Sequence, residues 1–125
     1  MATIKEDYVS FEVAGLLKEK EFDWECIGYY VNDEPDDVKY SFLCETNSIW
    51  EARCYSAPTI QMAIKWLREV HNIDIFPRKI GKGIYSCAIF NSNTGQDLSS
   101  DKDFPSEKYE ETAEAAIKYC LENLI

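Results

Sequence analysis

The chain has 125 residues, the length of one domain spanning residues 1–125. With 46% hydrophobic and 14% aromatic residues it can fill a buried core, and its 5 Gly and 4 Pro exclude collagen-like and low-complexity classes. Acids outnumber bases 23 to 13, and the resulting formal net charge of -10 works against direct binding of a phosphate backbone.

The first predicted helix covers Phe11 to Lys20. Ser10 stands ready to cap it, and Val13, Leu16, Leu17 and Lys20 follow the spacing of one helical face. Trp24 to Val31 reads as a strand rich in aromatic and β-branched residues. Asn32 to Asp37 reads as a turn and Val38 to Cys44 as the return strand, with Val38, Tyr40 and Phe42 alternating against Lys39 and Ser41. Thr46-Asn47-Ser48 makes a second turn. Ile49 to Tyr55 is a third strand, with Trp50, Ala52 and Cys54 on one face, and the three strands are expected as an antiparallel meander.

Ser56-Ala57-Pro58-Thr59 predicts a helix start, with Ser56 or Ala57 as cap and Pro58 in the first turn. Ile60, Ala63, Ile64, Leu67 and His71 trace one stripe, which Met62, Trp66 and Val70 widen, and Asn72 is the expected stop. Ile73 to Ile80 is strand-like, but Pro77 lacks the N–H a ladder needs, which demotes the segment to an edge or an interrupted strand. Gly81-Lys82-Gly83 is a tight turn. Ile84 to Phe90 is apolar on both faces and is expected as a central strand. Asn91 to Pro105 reads as a long polar loop, a candidate for disorder or for a conformation set by a partner. Ser106 is the expected cap of a last helix whose stripe runs from Tyr109 through Ala113, Ala116, Ile117, Cys120 and Leu121 to Leu124. The order is α-βββ-α-ββ-α. It predicts an α+β fold, with three helices on an antiparallel sheet of about five strands.

No run reaches the ~18 apolar residues of a membrane span, and Met1 to Asp7 lacks the apolar core of a secretory signal. A cytoplasmic protein without membrane contact is expected. Cys26, Cys44, Cys54, Cys87 and Cys120 are widely spaced, contain no C-x-x-C, and read as small buried hydrophobes. His71, at a helix end, is expected to snorkel or to cap carbonyls. It stands at no zinc-ligand spacing. Gly81-Lys82-Gly83 lacks the other residues of a phosphate loop, and Asp33, Glu34, Asp36 and Asp37 lack the glycine and terminal glutamate of an EF-hand. No catalytic residue, metal site or cofactor is expected.

Charge is unevenly placed. From Ser56 to Ile80 the bases Lys65, Arg68, Arg78 and Lys79 exceed the acids Glu69 and Asp74. Trp66, His71 and Phe76 lie among them, an arrangement that would suit stacking on nucleic acid. The acidity of the rest favours instead Trp66 and Phe76 as core. Tyr29 and Tyr30 point to opposite sheet faces, and such rings are enriched at protein interfaces. The candidate interaction surface therefore comprises Tyr29, Tyr30, Lys65, Arg68, His71 and Arg78.

Cys54-Tyr55-Ser56-Ala57-Pro58-Thr59, followed by Ala63, Trp66, Leu67 and Arg68, resembles a family of short proteins of gut Bacteroides and their phages or prophages. The opening SFEVAGLLKEKEF, the strand CIGYY and the closing YEETAEAAIKYCLENLI extend the likeness along nearly the whole chain. The resemblance implies a cytosolic accessory protein of phage origin and carries no activity, cofactor or site residue.

The favoured function is a small non-enzymatic interaction domain whose partner is another protein or a second copy, as in a homodimer. One alternative is an acidic mimic of nucleic acid that occupies the basic site of a host enzyme. Another is a small enzyme with a Cys or His site assembled only in space.

Overall fold

The computed structural model describes residues 7–49 and 54–125, without the side chains of residues 42–44. The expectations for Met1 to Glu6, for Trp50 and Ala52, and for the side chains of Phe42 and Cys44 lie outside the described residues. The elements are α1 (Phe11–Glu19), β1 (Cys26–Val31), β2 (Glu34–Glu45), β3 (Cys54–Ser56), α2 (Ile60–His71), β4 (Ile73–Gly81), β5 (Ile84–Asn91) and α3 (Tyr109–Asn123). The fold is α+β in the expected order. The single five-stranded sheet is not formed: the strands make a three-stranded sheet and a separate two-stranded one. Contacts divide the chain into two compact units at Ile60 and Gln61.

In the first unit, Ser10 Oγ accepts from the Val13 N–H at 3.3 Å and caps α1. The helix ends on Lys20, followed by Glu21 at φ 66. Phe22 N–H reaches Leu17 O at 2.9 Å and Glu21 N–H reaches Lys18 O at 3.1 Å. These are the two bonds of a Schellman stop, and its apolar contact is supplied by Phe22 and Leu17, both fully buried. The sheet order is β2-β1-β3, with β1 antiparallel to both neighbours. A meander would have put β2 in the middle. Instead β1 is central because its inner face accepts close neighbours. A Cβ on Gly28 would lie 2.8 Å from Ala57 O and 3.0 Å from two Tyr8 ring carbons. Only a residue without a side chain fits there.

The expected turn over Asn32 to Asp37 is shorter than predicted, because β2 already begins at Glu34. Pro35 is tolerated in β2 because β2 is an edge strand. Helix α2 also starts later than expected. Ser56 ends β3, Thr59 bridges Tyr8, and Pro58 O accepts from the Val9 N–H at 3.0 Å. Extended pairing with residues 7–9 therefore satisfies this backbone before any helical turn can.

In the second unit, α2 buries Ala63, Ile64, Trp66 and Leu67. Val70, expected in the stripe, is instead exposed. Asn72, at φ 57, ends the helix as predicted. β4 and β5 form a hairpin, and α3 packs on both of its strands. Alternation places Ile73, Ile75, Cys87 and Ile89 on the buried side, against Ala113, Ala116, Ile117, Cys120 and Leu121 of α3.

The segment expected as a loose loop is a strap. It runs back along the edge of β5 that β4 leaves open. Asn91 N–H donates to Gln96 O, Leu98 N–H to Ile89 O, Cys87 N–H to Asp103 O, and Tyr85 and Ser106 exchange both backbone bonds, all at 2.8–3.0 Å. β5 is thus hydrogen-bonded along both edges. Asn91 and Asp97 side chains hold the strap's turns by accepting from the following backbone N–H groups. Ser106 belongs to this pairing rather than to the helix cap. α3 starts three residues later, with Ser106 Oγ donating to Glu111 Oε2 at 2.6 Å.

Candidate interaction surface

The structure divides the six predicted residues. Tyr30 is not a surface residue. It is 7% exposed, its hydroxyl donates to Val9 O at 2.7 Å, and its ring meets Phe11 edge-on. Tyr29 is half-buried on the opposite side of β1, paired in register with Lys39 and Ser56. Both tyrosines belong to the first unit. Lys65 and Arg68 are exposed on α2. His71 neither snorkels nor caps. Its ring packs edge-on against Trp66 with centroids 4.7 Å apart, and its buried Nε2 has no hydrogen-bond partner. Desolvation lowers its pKa, so the ring is neutral at neutral pH. Arg78 is exposed on β4.

Arg78 has neighbours that the sequence reading missed. Trp66 is core as expected, but Phe76 is 52% exposed. Strand alternation could have separated them. Asp74, Phe76 and Arg78 fall on the side of β4 opposite Ile73 and Ile75. Their register partners there are Phe90, Ala88 and Ser86. Phe76 and Phe90 rings lie 6.0 Å apart across the strands. Near the turn, Ile80 is the extra residue of a bulge, and it and Ile84 are both exposed. Gly83, at φ 74, lets the chain reverse. Arg78, Lys79 and Lys82, all exposed, give this end of the hairpin three positive charges in a chain of net charge -10.

This face therefore exposes the Phe76 ring and the branched side chains of Ile80 and Ile84, with Arg78 between them, while Ser86 is buried. Covering the exposed part of each of the three apolar side chains would contribute about 1 kcal/mol. The arginine fork can add directional bonds to a carboxylate.

The thiols and clefts offer less chemistry. Burial pushes the Cys120 thiol up to about 12, with the neighbouring Cys87 adding to the shift. Burial also raises Cys87, against a hydrogen bond with Thr112. Neither thiol is a ready nucleophile at neutral pH. A cleft of about 340 Å³ lies beside the end of α1, lined by Lys18, Phe22, Asp23, Asn47 and Ser48 among others. Its polar groups serve the backbone. Lys18 Nζ donates to Cys54 O at 2.7 Å and Asn47 Nδ2 to Phe22 O at 2.8 Å, while Asn47 Oδ1 accepts from the Ser56 N–H and Asp23 Oδ1 from the Ser48 N–H. Among the described residues, no three His, Cys, Asp or Glu side chains are grouped to hold a metal ion, and no helix is long and apolar enough to cross a membrane. No protein-family model, curated protein or solved structure matches the chain.

Proposed function

We propose that this chain is a cytoplasmic protein-interaction domain that works through the outer face of the β4–β5 hairpin, not through a reaction. The observation that carries the reading is the joint exposure of Phe76, Ile80 and Ile84 beside Arg78 and Lys82. An interface core is rich in rings and arginine, and Phe76, Ile80, Ile84 and Arg78 supply such a centre, with Lys82 at its rim. Its cations select a partner surface that carries carboxylates. The accessory role in a phage or its host that the sequence resemblance implies is compatible with such a domain. The buried, high-pKa Cys87 and Cys120 weigh against a cysteine enzyme.

The test is affinity capture from the native host with wild-type protein and with Phe76→Ser/Ile80→Ser. Both positions are exposed, so the variant is expected to keep its fold, which circular dichroism checks. The expected result is a protein retained by the wild type and depleted at least tenfold with the variant. Equal capture by both would refute the surface assignment.

A further inference from the structure

We infer that the outer face of β4–β5 is covered by the β1–β2 hairpin of a second copy of this chain. The inference rests on the interaction reading above and supplies its partner. The complement to the basic face is present in the same sequence. Asp33, Glu34, Asp36 and Asp37 are all exposed at the end of the β1–β2 hairpin. Among the described residues, Lys39 offsets them there, holding Glu34 at 2.6 Å and Asp37 at 4.0 Å. The excess of acid there is opposite in sign to Arg78 on the outer face of β4 and Lys82 in the β4–β5 turn. The acidic hairpin also offers apolar surface, with Pro35 exposed in β2 and Tyr40 exposed to 57% further along it. A Tyr ring and a Pro ring against Phe76, Ile80 and Ile84 form the apolar centre, and the opposite charges form its rim.

Two physical points favour this mode. First, the acidic hairpin and the basic face belong to different compact units of one chain, so a single sequence supplies both halves of the contact. Second, the repulsion between two chains of net charge -10 acts mainly between remote charges. At physiological salt these are screened beyond ~8 Å, while groups in contact are not. A continuous sheet built by joining the β4 edges of two copies is disfavoured. Cys87 and Tyr85 direct their N–H groups to the strap, so their register partners Pro77 and Lys79 direct their backbone polar groups to the open edge. Pro77 puts a missing donor in the middle of that edge.

Sedimentation equilibrium of the full chain at ~0.15 M salt tests the proposal, using wild type, Arg78→Glu/Lys82→Glu, Asp36→Lys/Asp37→Lys, and an equimolar mixture of the two variants. All four positions are exposed, and circular dichroism confirms that each variant folds. The proposal expects a wild-type dimer and a weakening of about tenfold or more in each variant alone, where every contact has become like-charged. In the mixture both contacts are again opposite in sign, so the dimer returns. A wild type that stays monomeric, a dimer indifferent to both variants, or variants that fail to rescue each other would overturn it. A monomeric wild type that still captures a partner through Phe76 would remove the self-pairing alone. Capture indifferent to Phe76 would remove the underlying reading as well.

Discussion

Gly28 and Phe76 show how much one side chain decides in this protein. Gly28 is where β1 meets both Ala57 and the Tyr8 ring, and Ala57 N–H donates to Gly28 O at 2.9 Å. A methyl group there must displace a backbone carbonyl, which is far less yielding than a side-chain tip. Gly28→Ala is expected to cost about 2 kcal/mol, in the range of overpacked cores. That corresponds to a drop in thermal midpoint of roughly 5–10 °C, read by calorimetry. An unchanged midpoint would mean the approach is looser than described. Phe76 is the opposite case. Its ring is large enough to be taken as core, yet alternation puts it with Asp74 and Arg78 on the open side of β4. Hydrophobicity alone does not tell a core ring from a contact ring; the neighbours two positions away do.

The elements were legible wherever a local signal controls them. Ser10 caps α1, Asn72 stops α2, and period-two patterning marks the strands. The starts of α2 and α3 were misread because Ser56 and Ser106 look like caps while distant partners claim the backbone around them: Tyr8 bridges Thr59, and Tyr85 pairs with Ser106. Strand order was hidden for a similar reason. Adjacency in sequence favours a meander, whereas the observed order needs the space beside Gly28, which only the folded chain reveals. The strap was misread because polar composition says nothing about a vacant strand edge next door. Pro77 allows either an edge or an interrupted strand; β4 runs unbroken through it with β5 on one side, and the structure adds the direction of its nitrogen. Its nitrogen faces outward, so the proline costs the β4–β5 ladder nothing while it blunts the open edge. Pro77→Thr restores that donor. It is expected to raise concentration-dependent light scattering and leave the unfolding midpoint of dilute protein nearly unchanged. No increase in scattering would show that the edge is protected by something other than the proline.

Taken whole, the molecule separates packing from contact. Val13, Leu17 and Phe22 fill one unit, and Ile73, Ile75, Ile89, Ile117 and Leu121 the other. Cys87 and Cys120 are used as packing groups with thiols held protonated. The candidate surface was only partly legible because its cations stood out in the sequence but its apolar members did not. Among the described residues, what remains outside is a mostly acidic surface with a basic, apolar end to the β4–β5 hairpin, the proposed contact. The most direct test is photo-crosslinking in the native host, with a benzophenone amino acid in place of Phe76 or, as a control, in place of Ala115, which is exposed on α3. The account predicts a discrete adduct, to another protein or to a second copy, from position 76 and none from position 115. Adducts from 115 with none from 76 would place the contact elsewhere and contradict it.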